Sequence, residues 1–345
     1  MINGHYEGNG NGLGHSDVFH GSALPPIGGR LGLDKAHAAP RDSTNPVAPA
    51  SSLVAIRPQG SRPPIYFVHG VGGGMFWGYS NLARQLSPDQ PVYAFKSRGV
   101  DGLEERPTIE EIAADYVAEL RAFQAHGPYL LGGYCFGGNV AYEMACQLQA
   151  LGEETAFLAL INCAPPNTAY ENTKFVFSFR WMARFFRNLV FWFNGFLLHW
   201  KPRDRREFVR WKFRLLGRQM ARLAGLNKTD PTQCQVDQLV DLEAFAGKRR
   251  RLWETHIRAL IRHQPRPYAG RVTLFRTGGH SLFCSFDEQY GWGEFAGRGV
   301  SVEIVRGEHA NILEEPNVRT IAAKLQRCLL ELDLDSTKEP SCLKL

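Results

Sequence analysis

Two short stretches hold residue types able to carry out nucleophilic chemistry. The first is Gly133-Tyr-Cys135-Phe-Gly137, which follows the apolar run Tyr129-Leu-Leu and precedes a helical pattern from Asn139. A thiol on a sharp strand-to-helix turn faces an incoming carbonyl, and glycines two residues to either side remove side chains that would collide there. The backbone N–H of Phe136 would point at a developing oxyanion. The positive end of the following helix is expected to lower the thiol pKa. The second stretch is Arg306-Gly-Glu-His309-Ala-Asn-Ile-Leu, behind the apolar run Val300–Val305. Of the 11 histidines, His309 alone stands where a general base belongs in the chain order nucleophile first, histidine last.

A base of this kind needs a third group to orient its ring, and two residues qualify. Asn162 ends the apolar run Phe157-Leu-Ala-Leu-Ile, and Asp287 closes Phe283-Cys-Ser-Phe in the loop after the next expected strand. Asn162 is the preferred member, because a thiolate–imidazolium pair can be oriented by an amide. A second oxyanion donor is expected from Ile65-Tyr-Phe-Val-His69-Gly-Val71-Gly-Gly-Gly74. This glycine-rich strand end has neither the G-K-[ST] nor the G-x-G-x-x-G pattern of a phosphate loop. Val71 is assigned as the donor, with Gly72 as the adjacent alternative, and His69 is read as structural.

The elements that must hold these groups follow from apolar patterning. Runs at Leu53–Arg57, Ile65–His69, Val92–Lys96, Tyr129–Tyr134, Thr155–Ile161, Val272–Arg276 and Val300–Val305 read as strands, several apolar on both faces. Amphipathic helices are expected over 109–124, with Thr108 and Glu111 as a capping box, over 139–151 with Gly152 as its stop, and over 318–332. Strand–helix alternation of this kind predicts an α/β protein with a mostly parallel central sheet flanked by helices. The alternation breaks once, between Ile161 and Val272, where helical character runs without a strand signal. The expected organisation is a flexible arm over 1–50, a core over 51–162 and 272–333, a helical lid insertion over 163–271 and a flexible tail over 334–345.

Charge and composition narrow the class. The chain carries +6, yet Lys174 to Arg222 holds 13 basic and two acidic residues, so +11 in that stretch leaves −5 for the remainder. The same region holds 14 of the 40 aromatic residues. No apolar run is long enough to span a membrane, and the amino terminus lacks the pattern of a secretory signal. Seven scattered cysteines without a C-x-x-C pair suggest neither a disulfide framework nor a zinc site. The expectation is a reduced, cytoplasmic protein with no bound cofactor or metal.

Taken together, Pro64-Ile-Tyr-Phe-Val-His-Gly, the Tyr129–Asn139 turn, Gly152-Glu-Glu-Thr-Ala-Phe-Leu-Ala-Leu-Ile-Asn162, Gly291-Trp-Gly and Gly307-Glu-His-Ala-Asn-Ile-Leu resemble the thioesterase family of nonribosomal peptide and polyketide synthesis. The resemblance runs from about 51 to 332 and implies the α/β-hydrolase fold. The family usually has Ser at the position of Cys135 and often Asp at that of Asn162. It implies an acyl or peptidyl chain arriving on the phosphopantetheine arm of a carrier protein, passing to Cys135 and leaving by hydrolysis, cyclisation or transfer to another acceptor.

An acyl-Cys remains a thioester, so a carrier-to-carrier acyl or aminoacyl transferase with little hydrolysis is the alternative. The rivals are a non-catalytic carrier-docking module and a membrane-surface lipid esterase. The insertion falls where the family places its lid, and Phe185, Phe191, Trp192 and Trp200 are expected to line the substrate channel. Its basic face would suit an acidic carrier, and interfacial membrane contact is a second use for it. Nucleic-acid binding is set aside, because no recognised module accompanies the basic and aromatic residues.

Overall fold

The computed structural model describes residues 17–18, 23–24, 51–74, 76–166, ten single positions between 179 and 220, and 242, 245–279, 288–309 and 311–336. The arm apart from two short paired strands, most of the expected lid and the tail beyond 336 lie outside the described residues, as do Phe185, Phe191, Trp192, Trp200 and Asp287.

Among the described residues, nine strands form two sheets. β1 (Asp17–Val18) and β2 (Ala23–Leu24) pair antiparallel with each other. The main sheet contains β3 (Leu53–Arg57), β4 (Ile65–Val68), β5 (Val92–Phe95), β6 (Tyr129–Tyr134), β7 (Thr155–Ile161), β8 (Val272–Thr277) and β9 (Val300–Val305), in the order β3-β5-β4-β6-β7-β8-β9. Only β3 runs antiparallel; every other pair is parallel. The strands in the middle explain the apolar runs: β4, β6 and β8 are buried at every position, while the edge strands β3 and β9 are mostly half-exposed.

The helices are α1 (Phe76–Gln85), α2 (Ile109–Phe123), α3 (Phe136–Ala150), α4 (Gly247–Arg262) and α5 (Asn317–Ser336). α1 packs on α5, whereas α2, α3 and α4 pack on one another. Thr108 caps α2 by accepting the Glu111 N–H at 3.2 Å. α3 begins three residues earlier than periodicity suggests, because its first turn, Phe136-Gly-Gly, sits under the sheet with no polar face to reveal it. It also ends one residue earlier: Leu151, expected on the buried stripe, lies beyond the last turn and is 55% exposed. α1 escapes the strand–helix reading of the sequence, whereas α4 falls in the stretch read as a helical insertion. α4 forms the end of the long insertion, and its Trp253, His256 and Ile257 are buried against the core.

The sheet reverses direction of growth at β4, with β5 on one side and β6 on the other. This is the switch point at which open α/β sheets place ligands, outside the carboxyl ends of the strands. The ends of β4 and β6 are tied there by Tyr79 of α1. Its hydroxyl donates to the Val68 carbonyl at 2.6 Å and accepts the Tyr134 N–H at 3.0 Å. Both partners are buried backbone groups, so deleting the hydroxyl strands them without water. Tyr79→Phe is expected to destabilise the fold by about 1–3 kcal/mol, read as a lower urea midpoint at unchanged slope.

Candidate active site

Cys135 sits between the last residue of β6 and the first of α3 with φ 53° and ψ −115°, a strained turn for a residue with a side chain. Its N–H donates to the Ile161 carbonyl at 3.0 Å, and its own carbonyl accepts the Gly138 N–H at 3.0 Å. The two flanking glycines are required by close approach. A Cβ on Gly133 would lie 2.1 Å from the Gly137 carbonyl oxygen, and one on Gly137 would lie 2.3 Å from that of Val68. The helix therefore starts tight against the ends of β4 and β6.

Asn162 directly follows β7, itself with φ 45°, and His309 follows β9. Their side chains meet: Asn162 Nδ2 lies 2.6 Å from His309 Nδ1. The Asn162 oxygen faces the Thr277 N–H and the Tyr290 hydroxyl, each at 3.5 Å. Tyr134, the residue before the thiol, holds the histidine from the other side. Its hydroxyl donates to the His309 carbonyl at 2.5 Å, and the two rings lie 4.8 Å apart. Nε2 of His309 is buried and makes no hydrogen bond among the described residues. Asn162, His309 and the thiol turn all lie just beyond the carboxyl ends of parallel strands of the main sheet.

The electrostatics differ from the expectation of a lowered thiol pKa. Burial pushes the Cys135 thiol up to about 12, and the opposing Phe136 N–H is too weak to reverse this. Burial likewise pushes His309 down to about 3. The resting pair is therefore a neutral thiol and a neutral imidazole, and the helix end does not win against desolvation.

On the β4 side, Val71 opens a short 3-10 turn over 71–73. The Gly72 N–H is taken: it donates to Nδ1 of His256 at 2.9 Å. His69 is buried, with Nδ1 2.7 Å from the Gly70 carbonyl and Nε2 2.8 Å from the Tyr116 hydroxyl. Burial and the neighbouring His256 push its pKa down to about 4. Tyr79, Tyr134 and His256 were not singled out by spacing. The only trace of His256 in the sequence is its place among the apolar positions Leu252, Trp253 and Ile257 of α4.

This architecture is the α/β-hydrolase fold. Over 81% of the chain it superposes on a four-domain nonribosomal peptide synthetase, AB3403, whose structure is bound to AMP and glycine, with 23% identity and a TM-score of 0.54, covering 20% of that chain. The NocB thioesterase domain, in covalent complex with a fluorophosphonate nocardicin G analogue, matches over 81% of this chain and all of its own, with 22% identity and a TM-score of 0.53.

Within the fold, residues 63–175 match the Thioesterase domain family. Malpinin synthetase of Mortierella alpina is 43% identical over 111 residues, 32% of this chain and 1% of that protein. The dimodular nonribosomal peptide synthase of Bacillus subtilis is 40% identical over 114 residues, 33% of this chain and 5% of that protein. The nonribosomal peptide synthetase pngA of Aspergillus terreus is 40% identical over 134 residues, 38% of this chain and 13% of that protein. The segment carrying the thiol turn is thus thioesterase-like, of the type found in nonribosomal peptide synthetases, and the chain spans a small fraction of these relatives' length.

The two pKa shifts predict opposite stability trends. His309 is depressed in the fold, so its contribution is present above pH 6.5 and lost as pH falls towards about 3. Cys135 is raised, so its contribution is present below pH 9.0 and lost as pH rises towards about 12. His309→Gln is expected to flatten the acid limb of urea stability, and Cys135→Ser the alkaline limb. Ultraviolet thiolate absorbance lost in Cys135→Ser is expected only above about pH 10; such absorbance at pH 7 would contradict a neutral resting pair.

Proposed function

We propose that this chain is a thioesterase-family enzyme that takes an acyl or peptidyl group from a carrier-bound phosphopantetheine thioester onto Cys135, in secondary-metabolite biosynthesis. The observation that carries the reading is the buried contact between Asn162 and His309, at 2.6 Å, together with the strained strand-to-helix turn that holds Cys135. As His309 and Cys135 rest neutral, His309 acts as a general base during attack rather than as half of a preformed ion pair. Nε2 takes the thiol proton as sulfur bonds to the substrate carbonyl carbon. The resulting oxyanion is met by the N–H groups of Val71 and Phe136. Collapse breaks the bond to the pantetheine sulfur, which leaves with the proton from Nε2.

That sequence requires the tautomer with hydrogen on Nδ1. Turning the Asn162 amide so that its oxygen faces Nδ1 supplies the acceptor this tautomer needs, whereas an Nδ2–H donated to Nδ1 would leave the hydrogen on Nε2 and block the base. Asn162→Asp, which can only accept in its ionised form, is expected to keep acylation within about 10-fold of wild type, whereas Asn162→Ala loses about 100-fold or more. A larger loss in Asp287→Ala than in Asn162→Ala would move the orienting role to Asp287.

The acyl group then leaves to water, to an internal nucleophile in cyclisation, or to another acceptor. Cysteine favours the last, because acyl-Cys135 keeps the transfer potential of a thioester that an acyl-serine would lose. The partner is an acyl or peptidyl carrier protein. Incubation with an acyl-pantetheine is expected to give an intact-mass adduct that is absent in Cys135→Ala; no adduct on the wild-type protein would refute the enzyme reading and favour a docking module. Chasing the loaded enzyme with water and then with a second carrier separates the exits, with slow loss in water and fast loss to the carrier expected for transfer.

A further inference from the structure

A second imidazole lies behind the oxyanion side of the site, and the chemistry above does not use it. His256, on α4, is fully buried. Its Nδ1 lies 2.9 Å from the Gly72 nitrogen, whose N–H it accepts. Its Nε2 lies 3.3 Å from Oε2 of Glu105, whose side chain is 5% exposed. The same carboxylate oxygen accepts from the Ser97 hydroxyl and, at 3.2 Å, from the Gly99 N–H, while Oε1 accepts the Arg106 N–H at 3.1 Å. Burial alone would raise the Glu105 carboxyl; the facing His256 ring and the Ser97 hydroxyl outweigh it and hold it below the usual carboxylate range.

This arrangement selects one tautomer. An imidazole that accepts at Nδ1 must carry its hydrogen on Nε2, and a fixed carboxylate facing Nε2 stabilises that form. The opposite tautomer would set N–H against N–H at Gly72. The ring also stacks on Phe136, with centroids 4.5 Å apart and planes 16° off parallel, and on His69 at 5.2 Å. A single side chain therefore grips both halves of the oxyanion-binding backbone: the loop containing Val71 through Gly72, and the residue after the nucleophile through its ring.

We infer that the buried Glu105–His256 pair is a positioning device for oxyanion binding, in which neutral His256 sets the spacing between the Val71 and Phe136 N–H donors. The inference rests on the reading of Cys135 as an acyl-accepting nucleophile. Donors of this kind act only at the place the oxyanion will occupy, so displacement of one by about 1 Å costs up to about 100-fold in rate. His256 touches no reacting atom and is a positioning residue.

The test uses two substitutions of similar shape. His256→Asn retains an acceptor near the place of Nδ1, and His256→Leu does not. Each protein is given an acyl-pantetheine, which reacts through a tetrahedral oxyanion, and separately iodoacetamide, which alkylates Cys135 by direct displacement and needs no oxyanion donor. His256→Leu is expected to lower the acylation rate by about 10- to 100-fold with alkylation unchanged, and His256→Asn to recover most of the loss. Equal acylation by wild type and His256→Leu, or equal loss in both reactions, would overturn the inference. A wild-type protein that is alkylated but never acylated would instead remove the catalytic reading on which it rests. Should neither variant fold, nitrogen NMR of the wild type still decides: His256 is expected with hydrogen on Nε2, and hydrogen on Nδ1 alone would overturn the proposal.

Discussion

The backbone of Cys135 is the constraint on which the rest of the site depends. With φ 53° and ψ −115° it lies outside the regions open to ordinary side chains, and such a residue costs about 1–3 kcal/mol that surrounding structure must offset. The offset comes from the hydrogen bonds of Cys135 to Ile161 and Gly138, and from α3 pressed so close to β4 and β6 that glycine is required at 133 and 137. Tyr79 and Tyr134 extend the same structure outward, the first to the end of β4 and the second to His309. The thiol turn, His309 and the end of β4 are thereby tied into one hydrogen-bonded assembly.

Burial governs the chemistry of that assembly more than any neighbouring charge. A thiol at the start of a helix is expected to ionise easily, but Cys135 is enclosed by β6, β7 and α3, and water is the better solvent for a thiolate. His309 is enclosed in the same way, and burial holds its imidazole neutral at neutral pH. Asn162 meets the His309 ring without adding a buried negative charge beside it.

Much of this was legible in the sequence. The seven strands of the main sheet matched their apolar runs to within a residue, since buried parallel strands leave little room for polar residues. The strand-to-helix turn at Cys135 and the place of His309 after the last strand were legible because glycine spacing and apolar runs are local features. Asn162 was visible as the end of a strand, but its contact with His309 spans 147 positions and depends on β7, β8 and β9 lying side by side. His256 was hidden among apolar neighbours on a helix whose basic exterior dominates the composition.

By itself the sequence determined the alternation of strands and helices, the strand-to-helix turn at Cys135 and the placement of candidate groups at strand ends, because periodicity and turn chemistry are written over a few residues. Tertiary structure decided the rest: which strand ends are neighbours, which N–H of the glycine-rich loop is already occupied, and whether the thiol rests charged. Those outcomes depend on packing between segments far apart in the chain. The clearest case is the protonation of Cys135, where the adjacent helix end argued for a thiolate and desolvation by the folded core reversed it.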